Sequence, residues 1–93
     1  MYMALTYKQR FNKKHGFDKD ASHSLNEIAR LSGYKLAGLR TIFNKGVGAF
    51  YTNPQSVRPA VKGPEQWAYA RVYAALDPKS RAHRIDKVHL KMA

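Results

Sequence analysis

Ser24-Leu-Asn-Glu-Ile-Ala-Arg-Leu-Ser-Gly-Tyr-Lys-Leu-Ala-Gly-Leu-Arg-Thr-Ile-Phe-Asn-Lys45 is the stretch on which the fold of this chain turns. Ser24 and Glu27 have the spacing of a capping box, in which the serine hydroxyl accepts a backbone N–H three residues on and the glutamate reaches back. Leu25, Ile28, Ala29 and Leu31 follow at helical spacing. Gly33 supplies the left-handed conformation that ends a helix without a Cβ clash. After Tyr34 and Lys35, the set Leu36, Leu39, Ile42 and Phe43 marks the next helix, predicted over 36–45 and closed by Gly46 and Gly48.

Outward from this unit, Leu5, Tyr7, Lys8, Arg10, Phe11, Lys13 and Lys14 predict a first helix that stops near Gly16, with a polar connector over 16–23. Beyond the unit, residues 47–64 hold three prolines and the two glycines Gly48 and Gly63. Here Ala49, Phe50 and Tyr51 fit either a short strand or an ordered loop, and Asn53 before Pro54 favours a turn. Pro64 suits the first position of another helix, with Glu65 beside its positive end. That helix runs to Leu76 on the stripe Ala68, Val72, Ala75 and Leu76, with Trp67 as its central core residue, and Asp77-Pro78 stops it. The whole chain reads as one all-α domain, 1–93, of four to five helices. Its core spans about 3–77, and residues 78–93 form a weakly patterned basic tail.

Composition narrows the function. The chain has 93 residues, no cysteine, and 17 Lys and Arg against six Asp and Glu, a net charge of +11. Such a field attracts a polyanion. No acidic residue falls between Glu27 and Glu65, a stretch that carries Arg30, Lys35, Arg40, Lys45, Arg58 and Lys62. The plainer reading, a surface tuned for solubility, leaves like charges repelling each other. No apolar run approaches the roughly 20 residues of a membrane span. Met1-Tyr-Met-Ala-Leu-Thr6 lacks the basic start and cleavage site of a signal peptide, so secretion is not expected. The absence of cysteine excludes disulfides and thiolate sites.

In a DNA-binding helix-turn-helix, a small residue lets the second helix approach, a glycine four residues later makes the turn, and apolar residues lock the angle. Ala29, Gly33, Leu39 and Ile42 fill those places, so residues 24–45 resemble the helix-turn-helix of phage and bacterial regulators. The resemblance makes 36–45 a recognition helix whose outward positions are Lys35, Ala37, Gly38, Arg40, Thr41, Asn44 and Lys45. It implies Arg40 on guanine, Asn44 on adenine, and Thr41 on a thymine methyl or a phosphate. Lys35 and Lys45, one at each end, suit phosphates. Ser32 and Tyr34 suit phosphate too, although Tyr34 equally suits the core edge. Lys13, Lys14, Arg58 and Lys62 complete the expected phosphate contacts. Residues 52–62 read equally as an arm on the backbone or a rigid connector.

Four further segments, 7–17, 44–50, 52–59 and 65–73, resemble a small, functionally uncharacterised family of proteins of large DNA viruses and tailed phages. This resemblance implies a viral origin, with a place in the virion or in the cytoplasm or nucleus of the infected cell. It opens a second role, a small virion protein that binds capsid subunits or packaged DNA. The first role is a non-enzymatic binder of duplex DNA. RNA is disfavoured, because the deep major groove of A-form RNA excludes helices. Catalysis needs a base or nucleophile with an orienting partner. His15, His23, His83 and His89 are scattered, Asp18 and Asp20 are isolated, and Tyr69 and Tyr73 lie on an apolar stripe. No enzyme, metal or cofactor is expected.

Overall fold

The computed structural model describes residues 5–52 and 63–93. Among them stand five α-helices: α1 (Tyr7–Lys14), α2 (Leu25–Ser32), α3 (Leu36–Thr52), α4 (Pro64–Leu76) and α5 (Arg81–Asp86), the last continued by a 3-10 turn over Lys87–His89. The fold is all-α.

Local chemistry explains most helix ends. Thr6 and Gln9 form a reciprocal capping box that starts α1. The Ser24 hydroxyl accepts the Glu27 N–H at 3.2 Å, which starts α2. The other half of the expected box is replaced, because the Glu27 carboxylate lies 3.2 Å from His23 Nδ1. Gly33 ends α2 at φ +80°, its N–H donating to the Ala29 carbonyl at 3.0 Å. Pro64 occupies the start of α4 and Asp77 follows its end.

α3 departs from the reading made on glycine content. It does not close at Gly46 and Gly48 but runs to Thr52, so Ala49, Phe50 and Tyr51 are helical, neither strand nor loop. The reason is tertiary. α3 and α4 form the main helix pair, and Gly46 is buried in it. A Cβ on Gly46 would stand 2.8 Å from Ala68 Cα, so this glycine permits close backbone approach and breaks nothing.

The core is Phe11, Ile28, Leu39, Ile42, Val72, Tyr73 and Ala75, with Leu25, Ala29, Leu31, Phe43, Tyr69, Leu76 and Leu90 packed against it. Trp67 is not its centre. It is only partly buried and lines a groove of about 780 Å³ with Leu5, Ala49 and Ile85. Ala68, one position on, takes the buried place, because only a methyl fits against Gly46.

Two buried polar residues tie the periphery down. Asn12 donates its amide hydrogens to the carbonyls of Lys19 and Ala21, each at 2.9 Å, and its Oδ1 faces His23 Nε2 at 2.7 Å. Those bonds shape the connector before α2. Asp86, fully buried at the end of α5, receives Arg71 Nε at 3.0 Å, Arg71 Nη2 at 3.1 Å and Lys45 Nζ at 3.1 Å. Three helices meet on this one carboxylate. Residues 78–93 are therefore not a loose tail but a folded part of the domain.

Candidate nucleic-acid interface

α3 buries Leu39, Ile42 and Gly46 and turns the opposite face outward. Ala37, Arg40, Thr41, Asn44, Gly48 and Tyr51 are all exposed and recur at three- and four-residue spacing, which makes one continuous stripe. Seventeen residues at 1.5 Å each give a rod of about 25 Å. Arg40 and Asn44 are four apart on this stripe, so the two predicted base readers share one face. The Thr41 hydroxyl donates to the Ala37 carbonyl at 3.1 Å, so its proton is committed and its methyl and lone pairs remain. Lys35, at the approach to α3, is exposed.

Two predicted positions change meaning. Lys45 was expected to clamp phosphate, yet its ammonium pairs with buried Asp86. Gly38 was expected to face outward, yet a Cβ there would meet the His89 carbonyl oxygen at 1.8 Å. The C-terminal segment covers it. Lys13 and Lys14 are exposed at the end of α1, a helix packed on α4, so they lie off the α3 stripe. Arg58 and Lys62, with the rest of residues 53–62, fall outside the described residues.

The C-terminal segment is the component that sequence reasoning missed. It runs antiparallel along one flank of α3. Asp86 sits on Lys45, His89 against Gly38, and Met92 opposite Tyr34. Lys35 N–H donates to the Lys91 carbonyl at 2.8 Å, and Ala93 N–H donates to the Gly33 carbonyl at 2.9 Å. Exposed Lys87 and Lys91 therefore border the stripe. The available signal was Gly38 itself. A glycine inside a helix costs about 1 kcal/mol relative to alanine, which is tolerable where another backbone must come close.

The carboxylates near this face are engaged. In Asp86, burial pushes the carboxyl up, but hydrogen bonds and charge from Arg71 and Lys45 outweigh it and hold the group below its ordinary range. Asp77 is also held low, first by the Lys79 backbone N–H, against burial, and then by Arg10. Charge neutralisation is thus concentrated on Arg10, Lys45 and Arg71, while Lys35, Arg40, Lys87 and Lys91 carry no ion pair among the described residues.

A cavity of about 490 Å³ lies elsewhere, lined by Arg10, Phe11, Lys14, Tyr34, Tyr73 and Asp77 among others. No helix among the described residues is long and apolar enough to cross a membrane.

The chain belongs to the DUF5824 family, a family of unknown function, whose model matches residues 3–89. No curated protein and no solved structure matches it.

Proposed function

We propose that this protein is a non-enzymatic binder of duplex DNA, in which α2 and α3 act as a helix-turn-helix and α3 enters the major groove. The exposed Arg40–Thr41–Asn44 stripe on a basic chain carries this reading. A major groove about 12 Å wide admits a helix; arginine can donate twice to guanine O6 and N7, and asparagine can donate to adenine N7 while accepting from its N6 amino group. The cations on and beside α3 take the flanking phosphates.

Duplex binding measured by fluorescence anisotropy from 50 to 200 mM salt tests it. Each phosphate contact adds about −0.9 to the slope of log affinity against log salt. A steep slope is expected, and a flat response sinks the reading. Arg40→Ala should lose about 1–3 kcal/mol of discrimination between preferred and scrambled duplexes. Equal loss on every sequence would assign Arg40 to phosphate.

A second reading is a virion protein that faces packaged DNA and docks on capsid subunits. Ile85 and Val88, three apart and each more than half exposed, favour a protein contact on the C-terminal segment. Mass spectrometry of purified particles separates the two: high, fixed copy number supports the virion role, and absence supports the soluble DNA binder.

A further inference from the structure

We propose that Lys35 and Lys91 form a single phosphate clamp, assembled when the C-terminal segment docks on the turn between α2 and α3. The proposal rests on the DNA-binding reading and adds to it a contact element from the other end of the chain.

The backbone pairing places the two residues. Lys35 N–H to the Lys91 carbonyl, and Ala93 N–H to the Gly33 carbonyl, bracket the antiparallel pair Tyr34 and Met92. Tyr34 and Met92 form an isolated bridge, and beside it Lys35 and Lys91 are joined backbone to backbone by the Lys35 N–H to Lys91 carbonyl bond, so the two side chains leave neighbouring points of the chain. Like charges on neighbouring points of paired backbone repel each other. Both lysines are exposed, and neither has a carboxylate partner among the described residues. An anion between the two ammonium groups converts that repulsion into attraction. A phosphate of a DNA strand lying along α3 fits, since the pair stands at the approach to the exposed stripe.

Docking is also built into α3. Residues 38 and 45 are seven apart, on one flank of the helix, and they meet His89 and Asp86 respectively. At Gly38 the approach is backbone to side-chain space, where an alanine methyl has no room. The segment thus has one seat, and the glycine reserves it.

The test uses the full chain and a mixed-sequence DNA duplex. Lys91→Gln leaves Lys35 alone on the phosphate and is expected to reduce the salt slope by up to about 0.9, at most roughly a 3.5-fold difference across 50–200 mM salt. Its thermal midpoint should be unchanged or higher, because a repulsive pair is removed; a merely structural lysine would not separate affinity from stability in this way. Gly38→Ala, which unseats the segment while favouring the helix, should lose at least as much slope with helical content retained. Lys19→Gln, on the exposed connector, should change neither quantity. A steep slope in the intact chain that Lys91→Gln leaves unaltered overturns the clamp alone. A flat slope in the intact chain overturns the clamp and the DNA-binding reading together.

Discussion

Tyr73 puts a phenol hydroxyl in the core with no hydrogen-bond partner among the described residues. Burial, then Tyr69 and Glu27, pushes its pKa up to about 12, so it is neutral at any working pH. An unpaired buried donor carries a desolvation penalty of roughly 1–3 kcal/mol, and removing it with its ring intact recovers part of that. Tyr73→Phe should therefore be neutral or stabilising by up to about 1 kcal/mol in urea unfolding. A loss would show that the hydroxyl has a role in the fold. The opposite case is Asp86, whose carboxylate joins α3, α4 and α5. Asp86→Asn leaves Arg71 and Lys45 without their anion. Because both cations reach solvent in part, the expected cost is about 2–3 kcal/mol, somewhat below that of breaking a fully buried pair. Both residues were visible in the sequence, but only as an apolar-stripe tyrosine and one acid in a basic tail. Nothing local to them told which partners the fold would supply.

At the scale of elements, the crossing of α3 and α4 rests on Gly46 and Ala68. Gly46→Ala sets two effects against each other. Alanine favours the helix by up to about 1 kcal/mol. Its Cβ, 2.8 Å from Ala68 Cα, must push one helix backbone away, and overpacking costs about 1–3 kcal/mol. The atom met is backbone, which cannot swing aside, so the clash should win and the midpoint of thermal unfolding should fall. A rise in that midpoint would show that the helices separate at little cost. The same crossing explains why glycine misled the reading of this element. Gly16 and Gly33 do have positive φ and follow helices; Gly46 serves a neighbour instead. Composition does not separate the two uses. By contrast, Ser24, Ala29, Gly33, Leu39 and Ile42 were legible, because caps, left-handed turns and 3.6-residue periodicity act within a few residues of themselves.

For the whole molecule, pH acts through depressed carboxyls. Asp77 and Asp86 are held below their ordinary range, so their stabilisation is fully present above that range. It is lost as pH falls below about 4 and on through their lowered native values. Circular dichroism should show acid unfolding in that window, and Asp86→Asn should flatten part of the acid limb. A transition centred above pH 5 would point to other groups. The sequence by itself determined the helical class, the net charge of +11, and the pairing of α2 with α3 through Gly33, because each depends on composition or short-range geometry. Only the tertiary structure decided that α3 continues past Gly46, that Lys45 is committed to Asp86, and that the C-terminal segment seats on Gly38 beside Lys35. Those outcomes depend on which backbones and charges meet across tens of residues of chain, and that meeting is set by packing the whole domain.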